Sequence, residues 1–367
     1  MAIKIGIVGM GGIGKTHGRC YKNDELAELR AVCDIVPEKA DDAAAEFGVK
    51  AYYSLADMLL SEPDLDVVDV TTSGYENGSW HYEPAMQAMR AGKNVFVEKP
   101  ISNDVREARE MVKYAYEHDL YLACDLNHYF TKPADRAKEL IKEGKIGEPV
   151  YILHKMGFNG SETKYGGVGS PRWQKPYSHT KAFLAHPFSV MRYFGGDITH
   201  VQCFMNRPGV RSSAVDPMYS INSVHCRFEN GSIGYLISQR GDAMFGLGGW
   251  WSFEMAGTKG TFVIENCVEK LSFWDGTKDH ENNSSPAPDE VLDTGITDFG
   301  STFPTRLHAF LEDLTNQVPK EHLRSSGRDA LATLECTFAA IRSFEEGGSL
   351  VHVEPLPNFH GDPKYVW

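Results

Sequence analysis

The strongest constraint on this chain lies in its first fourteen residues. Ile3-Lys4-Ile5-Gly6-Ile7-Val8 is a short run rich in β-branched residues, and it leads into Gly9-Met10-Gly11-Gly12-Ile13-Gly14, a G-x-G-x-x-G pattern. The pattern alone means little, because 35 glycines in 367 residues generate chance matches. Its place gives it weight: it follows a predicted strand and opens a predicted helix that runs to about residue 23, the context of a phosphate-binding turn. Gly9 permits a tight turn, Gly11 leaves the backbone open to a pyrophosphate, and Gly14 lets helix and strand pack closely. Met10, Gly12 and Ile13 complete the turn, and the helix N-terminus offers amides and partial positive charge to phosphates. Asp34 follows the next predicted strand, 29–33, twenty residues after Gly14. A carboxylate there suits the two hydroxyls of an unphosphorylated ribose and repels a 2′-phosphate. Ile35-Val36-Pro37 brings no arginine, so the pattern favours NAD over NADP.

The rest of the first third keeps the same rhythm. Pro37 opens a predicted helix to residue 45, and Gly48 closes it. A strand at 65–70 is apolar almost throughout, as strands covered on both faces are. A helix at 82–90, a strand at 94–97, a helix at 104–117 and a strand at 120–124 follow. Strands separated by helix-length segments imply right-handed crossovers and a doubly wound parallel sheet, expected over 1–126. Beyond residue 126 the rhythm changes. After an amphipathic helix at 133–144, strands are expected at 150–156, 198–205, 220–228, 232–239, 251–256 and 261–264, most without helices between them. Asn230-Gly231 is a hairpin signal. Residues 276–298 read as an exposed loop, and two helices follow near 305–317 and 327–345. Residues 127–367 are therefore expected to form an α+β domain with a large, mostly antiparallel open sheet.

Composition narrows the partners. Lys and Arg total 37 against 50 Asp and Glu, a formal net charge of −13. Such a surface repels phosphate backbones and anionic lipid, so neither nucleic acid nor membrane is an expected partner. No run approaches the ~18 apolar residues of a membrane helix, and residues 3–8 run into the glycine turn without a basic leader or cleavage site. The seven cysteines are scattered with no CxxC or CxH pair. They read as reduced thiols of a cytoplasmic protein, with no metal expected.

Glu98-Lys99-Pro100 follows the strand at 94–97. Open α/β sheets bind ligands beyond the carboxyl ends of their strands, so Lys99 is expected at the cofactor crevice, where an amine can exchange a proton with a substrate hydroxyl. On an arbitrary loop a lysine is simply a solvated charge.

At this point a resemblance becomes definite. Gly9 to Gly14, Asp34, Thr71-Thr72, His81, Ala91-Gly92-Lys93-Asn94-Val95, Glu98-Lys99-Pro100, Asn127 and Gly144-Lys145-Ile146-Gly147 resemble, in that order, the glucose–fructose oxidoreductase / inositol dehydrogenase / rhizopine catabolism (Gfo/Idh/MocA) family. The likeness is close over residues 1 to about 156. It extends more loosely through 188–194 and Gly257-Thr258-Lys259-Gly260. It implies a Rossmann domain, a second domain whose open sheet joins subunits into a homodimer or homotetramer, and NAD-dependent oxidation of a sugar, glycoside or cyclitol hydroxyl, with the 3-hydroxyl of a pyranose favoured. It also implies cofactor contacts from Thr71, Thr72, Ser73, His81, Glu98, Lys99 and Asn127, beside those of the glycine turn, Asp34 and Ile35. Some relatives cleave glycosides by transient oxidation and elimination, and one is a non-enzymatic regulator, so both remain as alternatives.

The resemblance further implies a lysine, an aspartate and a histidine around the reacting carbon. The lysine maps to Lys99. Met191-Arg192-Tyr193-Phe194 sets a register that selects His186, whose imidazole suits proton transfer; otherwise His186 is a satisfied histidine near a helix start. The aspartate's position holds Ala182, so His179, Lys181 or another group must orient the imidazole, or Lys99 and His186 suffice. Pro187 predicts that a helix starts or kinks there. His128, beside Asn127, is expected at the substrate crevice. Residues 157–180 carry Asn159, Tyr165, Trp173 and His179, groups that suit sugar faces and hydroxyls, and Trp173 resembles a family tryptophan near the nicotinamide. The same stretch also reads as a plain solvent loop. Of Trp250 and Trp251 at most one faces a site, because consecutive strand residues point to opposite sides.

Overall fold

A computed structural model of the chain describes residues 2–73, 80–158, 175–209, 217–241, 246, 248–279 and 285–356. It comprises two compact units, one built on Met1–Asn127 with Phe303–Leu334, the other on His128–Thr302 with Glu335–Pro355.

The first unit alternates strand and helix: β1 (Ile3–Val8), α1 (Gly12–Lys22), β2 (Ala27–Cys33), α2 (Pro37–Phe47), β3 (Lys50–Tyr52), α3 (Leu55–Ser61), β4 (Val67–Val70), α4 (Tyr82–Arg90), β5 (Asn94–Val97), α5 (Val105–Glu117) and β6 (Leu122–Cys124). The six strands lie in the order β3-β2-β1-β4-β5-β6, and every neighbouring pair is parallel. The order reverses between β1 and β4, the point at which such sheets open a ligand crevice. Local chemistry sets the helix ends. Pro37 occupies the first turn of α2, and Gly48 ends it in the left-handed region at φ 65°. The Asp104 carboxylate accepts the Arg106 amide at the start of α5. Ile5, Ile7, Val67 and Phe96 are wholly buried, and Leu307, Phe310 and Leu311 of the helix Thr302–Thr315 join the same core. β3 and α3 are absent from the sequence reading because three and seven residues are too few for periodicity to show.

The second unit begins with α6 (Lys132–Lys142), β7 (Pro149–Phe158), α7 (Ser178–Phe183) and α8 (Ala185–Gly195). Then come β8 (Ile198–Asn206), β9 (Ile221–Phe228), β10 (Ile233–Arg240), β11 (Trp251–Gly257), β12 (Gly260–Glu265), β13 (Lys270–Asp275), β14 (Glu290–Asp293) and β15 (Val351–His352). These strands form one sheet in the order β14-β13-β12-β11-β7-β10-β9-β8-β15. Only β7 and β10 pair parallel. Asn230-Gly231 turns the β9–β10 hairpin, with Gly231 at φ 89°. The expected exposed loop at 276–298 needs correction, because β14 lies within it on the edge of the sheet beside β13. Four half-exposed residues, two of them acidic, give a pattern no different from a loop. α8 covers one face of the sheet through Phe194, whose ring lies 4.9 Å from Phe253 and 5.4 Å from Phe262. The other face leaves Tyr151, Leu153, Phe204 and Ile233 exposed. Among the described residues no helix is long and apolar enough to cross a membrane.

Candidate active site

The glycine turn sits at the carboxyl end of β1. Gly9 has φ +100°, and a Cβ there would come within 2.5 Å of the Thr72 nitrogen. A Cβ on Gly14 would fall 2.1 Å from the Gly9 carbonyl oxygen, so helix and strand touch backbone to backbone. Gly11 and Gly12 are different: a Cβ on either meets nothing within 4 Å. Their bare backbone faces open space, and no side chain caps α1, which leaves its N-terminal amides for a phosphate. Asp34 closes the turn, its Oδ2 accepting the Met10 amide at 2.7 Å and its Oδ1 the Val36 amide at 2.9 Å. A carboxylate oxygen has a second lone pair, so the aligned carboxylate keeps the capacity to accept further hydrogen bonds. Ile13 is 40% and Ile35 84% exposed, apolar surface that a stacked base would cover. These groups fit a dinucleotide without a 2′-phosphate.

Thr71 to Ser73 continue from β4 beside the turn. The Thr71 hydroxyl donates to the Gly9 carbonyl at 2.7 Å. His81 is spent on backbone: Nδ1 lies 2.7 Å from the Pro100 carbonyl oxygen and Nε2 2.9 Å from that of Thr72. Burial pulls its pKa below the usual imidazole range, the two carbonyls oppose this, and Lys99 adds to it. A neutral ring has one N–H, so it donates to one of these carbonyls at a time, on the Thr72 loop or on the Lys99-Pro100 turn. That turn follows β5, and Lys99 is half-buried there. The Lys99 amide donates to its neighbour's carboxyl, Glu98 Oε2, at 3.0 Å. Asn127, buried, stands just beyond β6.

Behind Glu98 lies a cluster absent from the sequence reading. His17 of α1 is wholly buried, with Nδ1 2.9 Å from Asp69 Oδ2, and with Nε2 3.6 Å from both Glu98 Oε1 and Asp125 Oδ2. Burial works against a charge on His17, yet Asp69, Asp125 and Glu98 raise its pKa well above the ordinary value. Burial also pushes the Glu98 carboxyl up to about 7, while His17 resists the shift. Asp125 is lowered although burial opposes it, because His17 and Arg306 face it. The upward shifts of His17 and Glu98 both act to lessen the cost of burying these carboxylates together. Atoms of His17, Glu98 and Asp125 lie within 4.8 Å of one another. One signal pointed here: Asp69 interrupts the apolar strand Val67-Val68-Asp69-Val70, and a buried carboxylate requires a partner.

The second unit holds the candidate histidines. His186 and His128 are buried, and their rings stack with centroids 3.8 Å apart at 17°. Trp251 donates its indole N–H to His128 Nδ1 at 3.1 Å. His179 stands apart from this contact, with Nε2 3.0 Å from the Ser238 hydroxyl and its ring stacked on Phe183. Ala182 packs with Met218 and Phe183, an apolar surrounding at the position of the implied aspartate. α8 starts at Ala185, so Pro187 lies in its first turn, where a missing amide costs no helix bond. Asn159, Tyr165 and Trp173 lie outside the described residues.

Comparison with known proteins agrees with the fold. Residues 3–125 match the profile of an oxidoreductase family with an NAD-binding Rossmann fold, and residues 134–263 match the Gfo/Idh/MocA C-terminal domain. The chain is 34% identical over 185 residues to an uncharacterized oxidoreductase of Streptococcus pneumoniae; the match spans 50% of this chain and 47% of that relative. It is 23% identical over 359 residues to a myo-inositol 2-dehydrogenase of Thermotoga maritima, covering 95% of this chain and 98% of that one. A solved levoglucosan dehydrogenase in complex with NADH and levoglucosan superposes with a TM-score of 0.81 at 21% identity, over 96% of this chain and 100% of that one. The chain therefore belongs to the Gfo/Idh/MocA family, as an oxidoreductase with an NAD-binding Rossmann unit.

Proposed function

We propose that the protein is an NAD-dependent dehydrogenase of a secondary hydroxyl on a small sugar, glycoside or cyclitol, with the 3-hydroxyl of a pyranose favoured. The observation that carries this is Lys99 at the carboxyl end of β5, in the unit whose glycine turn and Asp34 suit NAD. The relatives named for myo-inositol and levoglucosan support the substrate class.

In this reading Gly11, Gly12 and the α1 amides hold the pyrophosphate, Asp34 the ribose, and Ile13 and Ile35 the base. Thr71, Thr72, Ser73 and His81 hold the wall beside the nicotinamide. Bound NAD supplies the hydride acceptor. Lys99 and His186 accept and relay the proton that leaves the hydroxyl, work suited to an amine and an imidazole. Asn127 and His128 border the sugar, and His179 ties α7 to the sheet through the Ser238 hydroxyl. Asn159, Tyr165 and Trp173 contribute hydroxyl and ring-face contacts. A second copy of the chain covers Tyr151, Leu153, Phe204 and Ile233 on the open sheet face, and the assembly works in the cytoplasm.

The test is NADH formation by purified protein with myo-inositol, levoglucosan and methyl glucosides. Lys99→Met is expected to cut turnover by about a hundredfold or more while NADH still binds. A broad polyol panel without NADH formation refutes the proposal. Free sugar released from a glycoside without net NADH replaces it with transient oxidation and elimination.

A further inference from the structure

Sealed in the second unit is a chain of three rings that the mechanism above leaves partly unused. Trp251 is 1% and His128 2% exposed. The indole N–H of Trp251 points at His128 Nδ1, 3.1 Å away. Indole nitrogen only donates, so His128 must present a lone pair at Nδ1. An imidazole that accepts at Nδ1 is neutral and carries its proton on Nε2. This tautomer is an inference from donor chemistry, since hydrogens follow from the bonding network.

Both partners are themselves held. The Trp251 ring meets His154 edge-on at 4.8 Å, and the His154 Nδ1–H donates to the Ser252 carbonyl at 2.7 Å. The Cys267 thiol reaches the His128 carbonyl oxygen at 3.2 Å. Trp250 and Phe299 meet the His128 ring edge-on at 6.2 and 4.8 Å. His128 is thus clamped at backbone and ring, and one face of it lies against His186, 3.8 Å between centroids and 17° from parallel.

We propose that His128 is the positioning residue for His186, and that Trp251 makes it so by locking the neutral Nε2–H tautomer. The stack fixes the plane of the His186 ring, the task a hydrogen-bonded carboxylate does for many catalytic histidines. Ala182 offers no carboxylate for it. Neutrality of His128 matters as much as its position. When His186 takes the hydroxyl proton, a neutral ring presents its π face to the new cation, whereas a protonated His128 would repel it. This inference rests on the reading of His186 as proton carrier.

The experiment uses the full-length protein labelled with nitrogen-15 at its histidines. At neutral pH one histidine should show a bare Nδ1 and a protonated Nε2, and its signal should vanish in His128→Phe. Trp251→Phe, which keeps an aromatic core and loses only the donor, should move that histidine toward mixed tautomers. With whichever polyol of the panel reduces NAD, both variants should lose kcat by about 10- to 100-fold, with NADH affinity within about threefold. A protonated Nδ1 on His128 itself overturns the inference, and backbone correlations in the wild-type protein assign its signal where the variant does not fold. Unchanged kcat in His128→Phe, with His186→Ala inactive, overturns the inference alone. Unchanged kcat in His186→Ala overturns the relay reading and this one with it.

Discussion

Two alanine substitutions separate the packing role of the glycine turn from its ligand role. At Gly14 the new methyl would stand 2.1 Å from the Gly9 carbonyl oxygen and 2.8 Å from the Thr71 hydroxyl. The first of these is backbone and cannot swing away, so α1 must retreat from β1 by more than about 1 Å to restore ordinary contact. Overpacking of this kind costs about 1–3 kcal/mol, which lowers Tm by roughly 2–12 °C for a unit of this size. At Gly11 the methyl meets nothing within 4 Å. Its cost is the poorer N-cap of alanine, about 1 kcal/mol. The same methyl fills the space where a pyrophosphate would approach the backbone. Losing one or two charge-assisted hydrogen bonds at about 1.5 kcal/mol each weakens NADH binding by roughly 10- to 100-fold. Thermal unfolding without cofactor and fluorescence titration with NADH read the two effects. Gly14→Ala with the wild-type Tm refutes the close helix–strand approach. Gly11→Ala with wild-type NADH affinity refutes the placement of the pyrophosphate.

Two further perturbations test the charges of the first unit. Burial raises the Glu98 carboxyl to about 7, so its protonated form is the one the fold favours. That stability is complete below the unfolded value, about 4.5, and is lost as pH rises through about 7. Wild-type Tm should carry a decline across this window that Glu98→Gln lacks, and parallel Tm–pH curves for the two proteins would refute the assignment. Asp34→Ala removes the acceptor of the Met10 and Val36 amides along with the charge facing the ribose. The NADH-to-NADPH affinity ratio should fall by about tenfold or more; an unchanged ratio places the discrimination elsewhere.

The parts of the protein legible in its sequence are those written by neighbours along the chain. The glycine turn, the cap at Gly48, the hairpin at Asn230-Gly231 and the helix Gly327–Glu345 each follow from a few adjacent residues. Their conformational requirements leave little choice, and the strand–helix rhythm then implies a parallel sheet. β3 and β14 were too short or too polar on the exposed side to announce themselves, and the parallel pairing of β7 with β10 joins strands that no local signal connects.

Tertiary structure alone decided the electrostatics of the site. His17 meets Asp69 across 52 positions, and Trp251 meets His128 across 123. In the extended chain each of these side chains is an ordinary solvated group. Burial changes that, because a group removed from water must find its partner inside, and which partner it finds depends on the strands and helices that close over it. The chain therefore spells out where a dinucleotide can lie, while the packed interior settles which protons its histidines and carboxyls hold.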